Sequence, residues 1–287
     1  MNLKDIPIVP IGPGSQPAES DGSDLAFIDL PKDITTYRRP EVPEAADVTH
    51  LDGAREAMRW LRRALAEPAA AELKLADLSA LDSENRELVN QVLGEGEVSV
   101  TRSGEINARS QESVLAGVWR TLYVDSKNRV ARDLLEVGPA PHIARIRPTG
   151  GRAFDIDTRD VPDGLMNALP ILTELESHCE RFARDRQPRS INLSLLPLSD
   201  EDIEFLDQRL GRGPVDILSR SYGKCQVIST ALNNVWWVRY YNSMSTPILN
   251  TLEVTALPQV VCAAAEDLHD SAQRLEEILA PYWADVA

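Results

Sequence analysis

The chain has 287 residues, a formal net charge of −15 and 43% hydrophobic residues. That is the make-up of a soluble globular protein with room for one large core or two of ordinary size. The acidic balance argues against nucleic acid and anionic membrane surfaces as partners.

No apolar run approaches the roughly 18 residues of a membrane span. The start, MNLKDIPIVPIGPGSQPAESD, lacks the basic end and continuous apolar stretch of a secretory signal. The sequence therefore predicts a cytoplasmic protein without membrane insertion.

Residues 1–48 read as a proline-rich extended arm. Pro7, Pro10, Pro13, Pro17, Pro31, Pro40 and Pro43 fall there, and each removes a backbone donor and biases its predecessor to extended geometry. Gly12-Pro13-Gly14-Ser15-Gln16-Pro17 suits a tight turn. It is not a phosphate loop, since no Lys-Ser/Thr follows.

The spacing of Ala54, Met58, Leu61 and Leu65 predicts a helix over 53–67, stopped by Pro68. A short apolar segment, Leu73–Leu78, follows. Asp82 then caps a second helix with Leu88 in its stripe and Gly94 as its stop. Strands are predicted at 97–101, 112–124 and 130–138, with Asp125-Ser126-Lys127-Asn128 as a hairpin connection. Residues 146–163 read as a linker.

The same order then recurs. Leu172, Leu175, Cys179 and Phe182 predict a helix over 171–184, with Pro170 in its first turn. Ile191, Leu193 and Leu195 alternate with Asn192 and Ser194, which predicts a strand over 191–196. Ser199 with Asp202 forms a capping box for a helix carrying Ile203, Leu206 and Leu210, and Gly211 ends it. Strands are predicted at 214–219, 225–241 and 247–256. A final helix, 265–280, has Ala265, Leu268, Ala272, Leu275 and Leu279 on its apolar face, and copy one has no matching sequence there.

The recurrence extends to the residues themselves. Residues 93–145 align without a gap on 210–262, at an offset of 117, with 13 identities in 53 positions. Unrelated segments of ordinary composition would share roughly three. Among the identities are Gly94/Gly211, Trp119/Trp236, Tyr123/Tyr240, Leu135/Leu252, Glu136/Glu253 and Pro141/Pro258. The period is too long for a solenoid. It predicts α+β architecture in two related tandem domains, 49–145 and 164–287, each with helices packed on an antiparallel sheet.

A duplicated chain separates what the fold needs from what only one copy has. On the strand 233–241, the face with Trp236, Val238 and Tyr240 keeps its two aromatics in copy one and is assigned to core. The opposite face, Trp237, Arg239 and Tyr241, has Arg120, Leu122 and Val124 as counterparts. Trp, Tyr and Arg are the types enriched at binding hot spots. This group is the candidate partner contact, and the competing reading is core beneath a helix. Glu136 and Glu253 could be an acid/base pair only if the fold brought them within several ångströms of each other; a solvated or ion-paired strand residue is the simpler reading.

No catalytic constellation is visible. Ser15 has no G-x-S-x-G elbow. Cys179, Cys225 and Cys262, and His50, His142, His178 and His269, are scattered, without CxxC, HxH or HExxH. Cys179 lies on an apolar stripe, and neighbouring His178 points elsewhere. Neither a metal, a cofactor nor a catalytic residue is predicted.

Several segments together resemble the HupH/HyaF type of hydrogenase expression/formation protein. They are Pro10–Pro17, Leu93-Gly94-Glu95-Gly96-Glu97-Val98-Ser99-Val100, Asp163-Gly164-Leu165-Met166-Asn167-Ala168-Leu169-Pro170 and Ser190–Leu193. Val235-Trp236, Leu252-Glu253-Val254, Ala264–Leu268 and Asp270–Leu275 complete the set. The resemblance runs from about residue 8 to residue 278.

It implies an accessory chaperone in the maturation of a nickel–iron uptake hydrogenase. The implied partner is the small-subunit precursor, which carries iron–sulfur clusters and a twin-arginine export signal, with other maturation accessory proteins as further partners. The alternatives are a metal or iron–sulfur carrier and a processing role on the precursor. Candidate contacts are Trp237, Arg239 and Tyr241, with Gly12, Gly14, Ser15 and Gln16 of the arm.

Overall fold

A computed structural model of the chain describes residues 48–66, 73–146, 161–220 and 224–283. All of them lie within the compact unit Thr36–Ala287. The arm residues Gly12, Gly14, Ser15 and Gln16 and most of the 146–163 segment fall outside the described residues.

The first half contains α1 (Asp52–Ala66), β1 (Lys74–Asp77), α2 (Ser83–Leu93), β2 (Val98–Arg102), β3 (Ala108–Glu112), β4 (Val118–Val124), β5 (Val130–Val137) and the single turn α3 (His142–Arg145). The second half contains α4 (Ala168–Asp185), β6 (Arg189–Asn192), a 3-10 turn Leu193–Leu195, α5 (Asp200–Leu210), β7 (Arg212–Ser219), β8 (Lys224–Thr230), β9 (Val235–Tyr241) and β10 (Pro247–Val254). A second 3-10 turn, Gln259–Val261, and α6 (Ala265–Leu279) close it.

The fold is α+β, with the strands in one antiparallel sheet of order β1-β5-β4-β3-β2-β7-β8-β9-β10-β6. Two corrections to the expected elements follow. Residues 112–124 are the end of β3, a turn and β4, and residues 225–241 are β8, a turn and β9. The turns need left-handed backbone at Gly117 (φ 76°) and Asn234 (φ 61°). In addition, the strand expected over 191–196 stops at Asn192. The Asn192 side chain accepts from Ser194 N at 3.0 Å and bends the chain into the 3-10 turn.

Strand registers of the two halves correspond. Val118 pairs with Val137 in one half and Val235 with Val254 in the other, each number 117 higher. Trp119 Nε1 donates to Gly138 O at 3.0 Å, and Trp236 Nε1 donates to Thr255 O at 3.2 Å. The halves meet along β2 and β7, where Val100 faces Ile217.

Helices cover one sheet face of each half. Met58 and Leu61 of α1 and Leu88 of α2 share a cluster with Leu115, Val118 and Leu135. Leu172 and Leu175 of α4 and Leu206 of α5 share another with Val235, Trp237 and Leu252 of the sheet. A third cluster draws on both halves, including Val100, Trp119, Ile217, Val227 and Trp236. Burying several such side chains at about 1.5–3 kcal/mol each gives this central cluster real weight in holding the halves together.

The last helix does not stay with its own half. Leu268, Leu275 and Leu279 of α6 pack into the first half's cluster. Ser271 Oγ donates to Ala116 O at 3.0 Å, and Leu268 lies over Gly117.

Two residues 117 apart tie the start of one helix to the first turn of another. Asn85 Oδ1 accepts from Ala54 N at 2.7 Å, at the start of α1. Asp202 completes the capping box of α5 with Ser199 and accepts from Met166, Asn167 and Ala168 N at 2.9–3.1 Å, at the start of α4. The orphan donors of α4 are thus capped by a side chain from another helix.

Candidate functional site

Trp237, Arg239 and Tyr241 do share a face of β9, as their period of two requires. Trp237 pairs with Leu252 and Arg239 with Asn250, so Leu252 lies on the Trp237 side and not on the Trp236 side. This face is the one under α4 and α5. Trp237 is 3% exposed and Tyr241 5% exposed, so neither ring is presented at the surface. The competing reading, core beneath helices, describes Trp237. Arg239 alone of the three is half-exposed.

Each ring carries a cation. The Arg239 guanidinium carbon lies 4.5 Å from the Trp237 ring centre, and Lys224 Nζ lies 5.3 Å from that of Tyr241. Trp237 Nε1 donates to Asn250 Oδ1, which meets the buried donor's need for a partner.

The first half solves the same position with charge. Arg120 and Asp133, the counterparts of Trp237 and Asn250, make a bidentate ion pair at 2.9 and 2.6 Å. Arg86 approaches the same carboxylate at 3.6 Å. Asp133 N and Asn250 N make the same kind of bond, donating to Ser79 Oγ at 3.0 Å and Ser194 Oγ at 2.8 Å. The second half has therefore exchanged an acid for a neutral amide beside Arg239.

The buried acids elsewhere have structural partners. Burial pushes the Glu112 carboxyl up to about 7, although Oε1 accepts from Gly117 N at 3.1 Å. Glu136 is fully buried, and burial raises its carboxyl too. Its Oε2 accepts from His142 N at 2.7 Å, while Arg102 Nη1 donates to Ile143 O and Ile146 O at 3.2 and 2.9 Å. The two clamp both ends of α3. Glu136 is thus neither solvated nor ion-paired, and among the described residues no hydrogen bond or ion pair joins it to Glu253.

Burial pushes the thiols of Cys179 and Cys225 up to about 11 and raises that of Cys262. They are held as neutral thiols, unsuited to act as nucleophiles near neutral pH. Among the described residues no three His, Cys, Asp or Glu converge as a metal site. No described helix is long and apolar enough to cross a membrane. A groove of about 540 Å³ opens between Val48–Leu51 and α2, edged by His50 and Glu84 at 3.5 Å, both exposed.

Comparison with known proteins adds an independent line. A family model described as the HupH hydrogenase expression protein, C-terminal conserved region, matches residues 51–150 and again 165–282. The hydrogenase expression/formation protein HoxQ of Cupriavidus necator is 43% identical over 282 residues, 97% of this chain and 98% of its own. HupH of Rhizobium leguminosarum bv. viciae is 42% identical over 73% of this chain and 75% of its own. The hydrogenase-1 operon protein HyaF of Escherichia coli K12 is 35% identical over 93% and 94%. A solved structure of the hydrogenase expression protein HupH from Thiobacillus denitrificans is 29% identical, with a TM-score of 0.39, covering 41% of this chain and 98% of its own.

Proposed function

The chain belongs to the HupH family of hydrogenase expression proteins, and on that premise we propose that it is a non-enzymatic chaperone in hydrogenase maturation that binds the small-subunit precursor before assembly and export. The observation that carries the reading is the match of relatives named hydrogenase expression/formation proteins over nearly the whole chain.

The chemistry of the interior supports binding over turnover. Asp202, Glu112, Glu136 and Asp133 are each committed to backbone donors or arginines that hold the fold. The buried cysteines are neutral. The half-exposed Arg239, supported by Trp237, is the accessible member of the expected contact group. The arm residues Gly12, Gly14, Ser15 and Gln16 are kept as further contacts, since an extended proline-rich segment can lie along another chain.

We infer further that the two halves are copies of one unit, 49–145 and 164–287, joined through 146–163. Matching registers and hydrogen bonds at the same offset support this. The function is tested by mixing purified protein with small-subunit precursor and following complex formation by size exclusion and intact mass. A complex with unchanged masses is expected. A shortened precursor would replace the chaperone with a processing enzyme.

A further inference from the structure

One corner of the second half combines ring-stacked positive charge with exposed apolar side chains. Arg239 and Lys224 lie on the same face of β9 and β8, since Lys224 pairs with Tyr241 and Gln226 with Arg239. Each is stacked on an aromatic ring, and neither has a carboxylate partner among the described residues. Such a cation keeps its charge available, because a ring fixes it in place without neutralising it.

Next to Arg239 lies Asn250, whose N–H donates to Ser194 Oγ at 2.8 Å. The neighbours along those segments, Leu195 and Ile248, are 79% and 62% exposed. Strands lie about 4.8 Å apart, so cations and leucine-type side chains fall within one short peptide's reach.

The equivalent corner of the first half has a different character. Leu122 and Asn107 replace Arg239 and Lys224, and Asp133 replaces Asn250 with its charge matched by Arg120 and Arg86. Among the described residues the ring-stacked cations at this corner therefore belong to the second half, in a chain whose net charge is −15. A local positive spot on an acidic body favours acidic segments at that spot and disfavours basic ones there.

We propose that this corner, Lys224, Arg239, Leu195 and Ile248, docks a polypeptide segment in which carboxylates alternate with apolar side chains. The proposal rests on the reading of the protein as a chaperone and assigns its client-binding chemistry. The segment's acids meet the two ring-supported cations, and its apolar side chains cover Leu195 and Ile248.

The test uses the full chain and two labelled short peptides, one alternating leucine with glutamate and one alternating leucine with lysine, read by fluorescence anisotropy. The glutamate peptide is expected to bind, and the lysine peptide is not. Lys224→Glu with Arg239→Glu should weaken binding by about tenfold or more. Leu195→Ser with Ile248→Ser changes only exposed side chains, and it should weaken binding while leaving the circular dichroism unchanged. Equal binding of both peptides, or binding unaffected by both variants, overturns the proposal.

The small-subunit precursor is titrated in parallel. Precursor bound equally by wild type and both variants overturns this surface and leaves the chaperone reading standing. A glutamate peptide that binds as expected, with no precursor bound, keeps the surface and removes that client.

Discussion

Val100 pairs with Ile217, the residue 117 positions away and its own counterpart in the second half. The neighbouring pairs repeat the relation in reverse. Val98 faces Ser219, and Arg102 faces Val215, so the local two-fold passes between Val100 and Ile217. Ser103 N donates to Pro214 O at 2.9 Å and Arg220 N to Glu97 O at 3.1 Å, extending it on both sides. Two five-stranded sheets are thereby joined edge to edge, which removes a long exposed edge from each.

A joined sheet and a shared cluster predict joint unfolding. Ile217→Ala removes a side chain that is 1% exposed at the seam and should cost about 2–5 kcal/mol. Urea unfolding followed by tryptophan fluorescence and far-ultraviolet circular dichroism should give one coincident transition in both proteins. Two separated transitions would mean that the halves fold independently.

The docking of α6 on the first half depends on Gly117. A Cβ there would lie 2.3 Å from Leu268 Cδ2, and φ is 76°. Gly117→Ala should cost about 1–3 kcal/mol from crowding, with left-handed strain added. Amide exchange across Ala265–Leu279 should accelerate. Gly164→Ala, also at positive φ but in open space, should lower the melting temperature less. Unchanged exchange in α6 would show that its anchorage lies elsewhere.

The buried acids set the sign of the pH response. Burial raises Glu112 from 4.5 to about 7, so between those values the folded state holds a proton that the unfolded state has lost. Its contribution is therefore present at low pH and lost as pH rises through about 7. Burial raises Glu136 and Glu253 in the same direction. Glu112→Gln, which keeps the acceptor for Gly117 N, should raise the melting temperature at alkaline pH by about 2–4 °C per kcal/mol gained. The gain should vanish in acid. A gain that is constant across the range would show that the charge is not its cause.

Asp202 responds oppositely. Burial opposes its ionisation, but N–H groups of Ala168, Ser199, Asn167 and Met166 outweigh that and hold the carboxyl below its usual value. Its contribution is present above the unfolded value and lost as pH falls through the lowered one. Asp202→Ala frees four donors at two helix starts and should cost about 3 kcal/mol or more. The loss should be largest near neutral pH. A cost under about 1 kcal/mol would mean that water caps α4 as well as the carboxylate does.

Local signals made much of the fold legible. Ser199 with Asp202 and Asp82 marked helix starts, and Gly94 and Gly211 marked the stops. The hairpin turns inside 112–124 and 225–241 were hidden because apolar residues run through both sides of each turn. Gly117 and Asn233-Asn234 were the available signs. The fate of Trp237 could not be read from strand period, because β9 is covered on both faces. The packing of α6 on the far half, and the stacking of Lys224 on the Tyr241 ring of the next strand, depend on contacts between separate elements.

The most direct measurement is co-expression with the hydrogenase small-subunit precursor, with and without its export signal, followed by purification and intact mass. The account predicts a stable complex of the protein with the precursor, both at unmodified mass. Its absence with either form would contradict the chaperone assignment.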